Sequence, residues 1–344
     1  MSGRAQNTFE PVRPDSGFAR RPAMTVLRIV ISDDYQDAVQ HLECFAKLAG
    51  FDVDIHNDTV TGVDALAQRF ASADAIVLIR ARTAITAELI DRLPKLRFIS
   101  QTGHAAGHVD LAACKRRGIP VSAAGSSTTA TAELTWTLIM DAMRNVSLEA
   151  RRLREGRWQT TLGRALHGRT LGILGYGSIG RAVARFGDAF GMRVIAGGGR
   201  EGSRRRATED GREYIGDRAA FFAGCDVLSV HLRLSPDTTG SIVDADFAAM
   251  NPAALFVNTS RAEVVAPGAL ERALRAGRPG KAAVDVYENE PVLNGAHPLL
   301  ALDNALCTPH LGYVEKDTYE NYFGIAFDQV RAFADGHPIN VLNP

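Results

Sequence analysis

An apolar run, Thr170 to Leu174, leads directly into Gly175-Tyr176-Gly177-Ser178-Ile179-Gly180, and an amphipathic stretch from Arg181 to Phe190 follows. Strand, glycine turn and helix in that order make a cradle for a pyrophosphate. Gly175 permits the tight turn, Gly177 lets the backbone approach the ligand, Gly180 lets helix and strand pack closely, and the free N–H groups at the helix start receive the negative charge. Downstream, Arg261, Glu290 and His310 each follow a separate strand-like run. An arginine's planar fork can hold a carboxylate, and a histidine can give or take a proton near neutrality. A glutamate bonded to the second ring nitrogen favours the imidazolium and fixes the ring's orientation. Singly, these are a surface arginine, a helix-start acid before Pro291 and a loop histidine. As an ordered set beside a dinucleotide turn, they read as machinery for anion holding and proton transfer.

Such groups need strand ends to hold them. Short β-branched or apolar runs recur at Val26 to Ser32, Val53 to His56, Ala75 to Leu78, Arg97 to Ser100 and Ile119 to Ser122. A second series begins at Arg169 and continues through Arg193 to Ala196, Asp226 to Val230, Leu255 to Asn258, Ala282 to Val284 and Ala305 to Cys307. Helical stretches alternate with them, which predicts βα units around parallel sheets. One long helix is expected over Thr129 to Glu155, and a last one over Glu315 to Ala334, which returns to the first unit. The expected division is a flexible tail over 1–23, a discontinuous substrate domain over 24–123 and 313–344, and a dinucleotide-binding domain over 124–312.

Composition excludes several function classes. The 344 residues carry 39 Lys+Arg against 39 Asp+Glu, a net charge of +0, so the basic excess of a nucleic-acid partner is missing. No apolar run approaches the roughly 20 residues that span a bilayer, so no membrane partner is expected. Cys44, Cys114, Cys225 and Cys307 lie far apart without metal-ligand spacing and read as thiols of a reducing, cytoplasmic compartment. No metal is expected. His104 and His108 stand four apart, but in a glycine-flanked loop with no third ligand nearby.

With Asn258-Thr259-Ser260-Arg261, Asp285-Val-Tyr-Glu-Asn-Glu290-Pro291 and Thr308-Pro309-His310 in this order after the glycine turn, the chain resembles the D-isomer-specific 2-hydroxyacid dehydrogenases. The resemblance runs from about Met24 to Leu342. It implies an α/β fold with a Rossmann-type doubly wound domain and a smaller flavodoxin-like substrate domain, paired as a homodimer through the long helix. The implied activity is NAD(P)-dependent interconversion of a D-2-hydroxy acid and its 2-oxo acid. Arg261 matches the substrate arginine, Glu290 the carboxylate partner and His310 the catalytic histidine. Reduction of a 2-oxo acid needs a cation on the carboxylate and a proton donor for the developing alkoxide, which suits these residue types. Formate dehydrogenases of similar pattern carry glutamine where Glu290 stands, so the glutamate favours proton-coupled chemistry. Asp285 matches the residue that meets the nicotinamide carboxamide, and Thr259 and Ser260 lie where the nicotinamide ribose approaches. His231, Thr238, Arg261, His310 and Gly312 complete the implied cofactor contacts.

On the substrate side, Thr102 to Asp110 corresponds to the loop that holds the substrate carboxylate, through Gly103 and with His104 in reach. Arg80 and Arg82, ending a strand-like run, either face the cleft as extra cations or are solvated. Ala262 and Tyr313 depart from the family, where glycine and a small residue are usual. Two further readings stay open: a phosphorylated hydroxy acid or phosphite as substrate, and an NAD(H)-sensing regulatory protein of the same fold. The cofactor reading leans to NADP. The acid that meets a ribose 2′-hydroxyl about 20 residues beyond the glycines is replaced by Gly198. Arg200, Ser203, Arg204, Arg205 and Arg206 follow, either as phosphate ligands or as a solvated basic loop.

Overall fold

The computed structural model describes residues 26–104, 106–198 and 201–344, so the expected tail, 1–23, and Arg200 lie outside the described residues. The first five apolar runs become β1 (Arg28–Ile31), β2 (Asp52–Ile55), β3 (Ala75–Leu78), β4 (Phe98–Thr102) and β5 (Val121–Ala124), joined in part by α1 (Val63–Phe70), α2 (Ala87–Asp91) and α3 (Leu111–Arg116). Every pairing is parallel, in the order β2-β1-β3-β4-β5. Runs such as Ala75-Ile-Val-Leu78 are apolar at successive positions because both faces of a parallel sheet are covered. Val30, Ile76, Leu78 and Ile99 pack against the three helices. Ile29, Ile31, Val77 and Phe98 point the other way.

Helices α4 (Thr129–Arg144) and α5 (Val146–Arg154) come next. The single long helix expected here is broken at Asn145, whose φ of 59° is left-handed. Its amide nitrogen donates to Thr161 Oγ1 at 3.0 Å, and its oxygen accepts from Lys281 Nζ. Asparagine is among the few residues that tolerate this backbone.

The second sheet contains β6 (Thr170–Leu174), β7 (Arg193–Gly197), β8 (Glu213–Ile215), β9 (Val227–Val230), β10 (Leu255–Asn258), β11 (Lys281–Val284) and β12 (Ala305–Cys307). Between them run α6 (Ser178–Ala189), α7 (Glu201–Glu209), α8 (Arg218–Ala223), α9 (Asp244–Ala249) and α10 (Ala269–Arg275). Strand β8, absent from the expected series, is three residues of mixed polarity at the sheet edge. The order β12-β11-β10-β9-β6-β7-β8 is wholly parallel and reverses direction of build at β6. Phe221, Phe222, Phe247 and Leu274 cover one face, and Trp136, Ile139 and Val183 cover the other.

Helix α11 (Lys316–Ala334) lays Tyr319, Tyr322, Phe323, Phe327 and Val330 on the open face of the first sheet. Glu315 caps it by accepting from Thr318 N at 2.8 Å. The protein is thus α/β, with a Rossmann-type doubly wound sheet and a smaller flavodoxin-like one. Among the described residues no helix is long and apolar enough to cross a membrane. All four thiols are free; Cys114 and Cys225 are buried, whereas Cys44 and Cys307 are only partly so.

Phe323 is 1% exposed between α11 and the first sheet. Phe323→Ala should lower stability by roughly 3–5 kcal/mol through the lost contacts and the cavity left behind. Urea unfolding followed by circular dichroism measures this, and an unchanged midpoint would contradict the packing described.

Candidate active site

The glycine turn is built against its neighbours. Gly175 has φ +97°, and a Cβ there would lie 2.7 Å from the carbonyl of His231. A Cβ on Gly180 would stand 2.5 Å from the Gly175 oxygen. The first backbone bond into α6 runs from Arg181 N to Gly177 O at 2.9 Å, so the N–H groups of Ser178, Ile179 and Gly180 precede the helical ladder. Gly177 has open space where a Cβ would stand, and an open position with donors at a helix start fits the pyrophosphate of a dinucleotide. The phenol of Tyr176 turns inward instead: it is 1% exposed and donates to Asp210 Oδ2 at 3.1 Å, so only its backbone borders the turn. The His231 ring bonds Ser229 Oγ at 2.9 Å, and burial holds the imidazole down at about 3. Thr238 closes its own turn, donating to Arg233 O at 2.7 Å.

At the ends of β11 and β12 the chain is gathered around Asp285. This carboxylate has no solvent exposure and accepts from Thr308 Oγ1 at 2.6 Å, Leu311 N at 2.7 Å and Gly312 N at 2.9 Å. Burial raises its pKa above the usual carboxylate value, against the pull of those bonds. The reversal that it braces gives His310 a left-handed φ of 52°. His310 Nδ1 then meets Glu290 Oε2 at 2.6 Å, with the two side chains 28% and 33% exposed. Glu290 is held in turn by Tyr287 N, which donates to Oε1 at 2.9 Å. Nε2 of His310 is the ring nitrogen left for another partner.

Arg261 projects from the turn after β10. Asn258 clamps that turn, donating from Nδ2 to Arg261 O at 2.9 Å and accepting from Ser260 N at 3.0 Å and Ser260 Oγ at 2.8 Å. Arg261 makes no ion pair with a described residue. Burial, then the nearby charge of Arg80, lowers its pKa. Thr259 Oγ1 meets Thr135 Oγ1 at 2.7 Å, and Thr131 Oγ1 donates to Gly312 O at 2.9 Å, so the first turns of α4 brace both segments. These two threonines were not anticipated, although their spacing of four on a helix puts them on one face.

The first sheet contributes two arginines. The Arg80 guanidinium lies on Gly103, where a Cβ would meet Nη1 at 1.8 Å, and between the Tyr313 and Tyr322 rings at 5.4 and 5.5 Å. Arg82 is enclosed: Nε donates to Tyr313 Oη at 3.0 Å, Nη2 to Tyr319 Oη at 3.3 Å and Nη1 to Asp33 O at 2.6 Å, with the Tyr35 ring at 4.5 Å. Tyr313 also meets the His310 ring edge-on at 5.5 Å. Its unusual bulk therefore joins the first-sheet arginines to the histidine. His104 is exposed, whereas His108 bonds Gln101 Oε1 at 3.1 Å; burial, then Arg80, pushes His108 down to about 4. Arg200 lies outside the described residues.

A doubly wound sheet with a glycine turn, and a histidine–glutamate pair beside an unpaired arginine at the same sheet's strand ends, define a dinucleotide-dependent oxidoreductase class. The family described as "D-isomer specific 2-hydroxyacid dehydrogenase, NAD binding domain" matches residues 136–312. A glyoxylate reductase of Aeropyrum pernix is 38% identical over 272 residues, 75% of this chain and 80% of that protein. A D-3-phosphoglycerate dehydrogenase of Archaeoglobus fulgidus is 33% identical over 271 residues, 78% of this chain, which spans only 51% of that protein. The crystal structure of a phosphoglycerate oxidoreductase from Vibrio cholerae O395 superposes with a TM-score of 0.88 at 48% identity, covering 90% of this chain and 100% of that one. The chain belongs to the D-isomer-specific 2-hydroxyacid dehydrogenase family: it is an oxidoreductase that uses a nicotinamide cofactor on small 2-hydroxy or 2-oxo acids.

Replacing Asp285 by Ala removes the acceptor of three donors. Leaving buried donors unpaired costs about 1–3 kcal/mol each, so the thermal midpoint should fall by several degrees and His310 should lose its alignment. A variant with wild-type melting and turnover would sink the anchoring role.

Proposed function

We propose that the chain interconverts a D-2-hydroxy acid and its 2-oxo acid, with Arg261, Glu290 and His310 as the catalytic set. The observation that carries this reading is the 2.6 Å contact between His310 Nδ1 and Glu290, beside an arginine without a carboxylate partner among the described residues. Arg261 holds the substrate carboxylate and polarises the carbonyl, supported by the backbone at Gly103 and by Arg80; His104 stands at the rim. His310, oriented by Glu290, gives its Nε2 proton to the alkoxide oxygen and takes it back in the reverse direction. When bound, the nicotinamide supplies or accepts the hydride. Gly175 to Gly180 receive the pyrophosphate, and Thr259, Ser260, Asp285 and Gly312 border the nicotinamide end. The substrate domain is 24–123 with 313–344, and the dinucleotide domain is 124–312.

A substrate with a second anionic group, such as a phosphorylated hydroxy acid, is favoured by one observation: Arg80 sits over Gly103 with aromatic rings on either side and no ion pair among the described residues. We place the enzyme in the cytoplasm as a homodimer. Val146, Leu153, Trp158 and Leu162, exposed by 58%, 55%, 75% and 97%, offer an apolar face for a second copy. NADP(H) is the preferred cofactor, because Gly198 replaces the acid that would repel a 2′-phosphate.

Two measurements test this. Glyoxylate, hydroxypyruvate, pyruvate, phenylpyruvate and 2-oxoglutarate assayed with NADPH and NADH in parallel should show turnover of at least one acid, with the higher kcat/KM for NADPH. Turnover of none would favour the sensor reading, and a clear NADH preference would refute the cofactor choice. His310→Asn should lower turnover by roughly 100-fold or more while cofactor affinity persists; near-normal turnover would remove the proton-transfer role.

A further inference from the structure

Arg80, two residues beyond β3, has a left-handed φ of 54°. That backbone is costly for a residue with a Cβ and persists only where the surroundings over-determine it. Here they do. Thr102, at the end of β4, accepts from Arg80 N at 2.9 Å while its own hydroxyl donates to Leu78 O at 2.9 Å. Gln101, beside it, donates from Nε2 to Arg80 O and to Thr102 O, each at 2.9 Å. Both main-chain groups of Arg80 are therefore gripped from one strand, by side chains that are fully buried.

Both Nε2 hydrogens of Gln101 go to carbonyls, so its Oε1 must accept from whatever faces it. His108 Nε2 faces it at 3.1 Å. The ring is thus the tautomer protonated at Nε2, and burial, then the charge of Arg80, keeps it neutral by pushing its pKa down to about 4. The main chain of His108 is tied as well: Ile85 N donates to His108 O at 2.9 Å, and Ile85 bridges in parallel to Val109. A line of hydrogen bonds runs from His108 through Gln101 to Arg80, and none of these bonds involves Arg261, Glu290 or His310.

The conformation matters because of where it puts the guanidinium. With Gly103 bare, Arg80 Nη1 occupies the space that a Cβ there would fill, and the Tyr313 and Tyr322 rings lie on either side. We propose that Gln101 and His108 are positioning residues: together they hold Arg80 in its left-handed conformation and so set the preference for substrates that carry a second anionic group. This rests on the reading of Arg80 given above. A guanidinium fixed beforehand meets an anion without an ordering cost, whereas a released one must be ordered by the substrate itself.

The test uses the full chain with its preferred nicotinamide cofactor and a matched pair of oxo acids, hydroxypyruvate and 3-phosphohydroxypyruvate. The wild type should favour the phosphorylated acid in kcat/KM by at least about tenfold, the size of one charge-assisted bond, and Arg80→Met should bring the ratio close to one. Gln101→Met and His108→Leu should each cut the ratio several-fold by raising KM for the phosphorylated acid, with kcat for hydroxypyruvate little changed. His108→Gln, which restores a donor to Gln101, should keep the ratio. If the wild type shows no preference, or if the preference survives in Arg80→Met, the reading of Arg80 fails and the proposal with it. A ratio lost in Arg80→Met but kept in Gln101→Met and His108→Leu overturns the proposal alone. Equal weakening of both acids also overturns it, since the pair would then only brace the sheet. Melting curves identify misfolding, and should Gln101→Met fail to fold, His108→Leu at the half-buried end of the line decides the outcome.

Discussion

Asp285 sits fully buried where β11 ends, and both of its oxygens are taken by the chain that leaves β12. A buried carboxylate without a cation beside it is stable only when hydrogen bonds replace its water. Thr308, Leu311 and Gly312 supply those bonds, and to reach them the chain must reverse at residues 308–312. That reversal is what stands His310 in a left-handed conformation with Nδ1 on Glu290. Tyr287 holds the same loop from the other side, its hydroxyl donating to Thr308 O at 2.9 Å while its N–H fixes Glu290. The placement of the His310–Glu290 pair follows from satisfying one buried acid.

The rest of the cleft is arranged around positive charge in a chain of zero net charge. Arg80, Arg82 and Arg261 collect near His310, and none has a carboxylate partner among the described residues. Their cost of burial is offset differently. Arg82 is wrapped by three tyrosines and a carbonyl, whereas Arg80 rests on aromatic faces. Arg261 donates to the carbonyl of Ser260 at 2.6 Å, and burial and Arg80 lower its pKa against the opposing charges of Glu290 and Glu263. The positive charges of Arg80 and Arg261 repel each other, so this part of the fold favours an anionic group. Tyr313 belongs to this arrangement, since one ring touches both first-sheet arginines and the histidine.

Much of this was legible in the residues taken in order. Runs apolar at successive positions, such as Leu255 to Val257, mark strands buried on both faces, and glycines at 175, 177 and 180 mark a tight turn, crowded for a side chain at 175 and 180. Both features depend on neighbours within a few residues, so local pattern carries them. The ordered segments around Arg261, Glu290 and His310 were legible through their resemblance to the family and the suitability of the residue types. Strand β8 was not, because three half-exposed residues at an edge have no period, and neither was the break at Asn145, which depends on Thr161 and Lys281.

What the chain alone determined, then, is the alternation of strands and helices, the glycine turn and the order of the chemical groups. Which way each side chain points was decided by tertiary contacts between residues distant in sequence. Tyr176, within the glycine turn, goes into the core because Asp210 and Arg212 wait there for its hydroxyl. Arg82 is enclosed by Tyr313, which lies 231 residues away in the chain. Arg206 turns toward the glycine loop, where its Nε donates to the carbonyl of Tyr176, 30 residues away in the chain. Local periodicity encodes backbone elements; charge pairing and burial across the fold choose the partners.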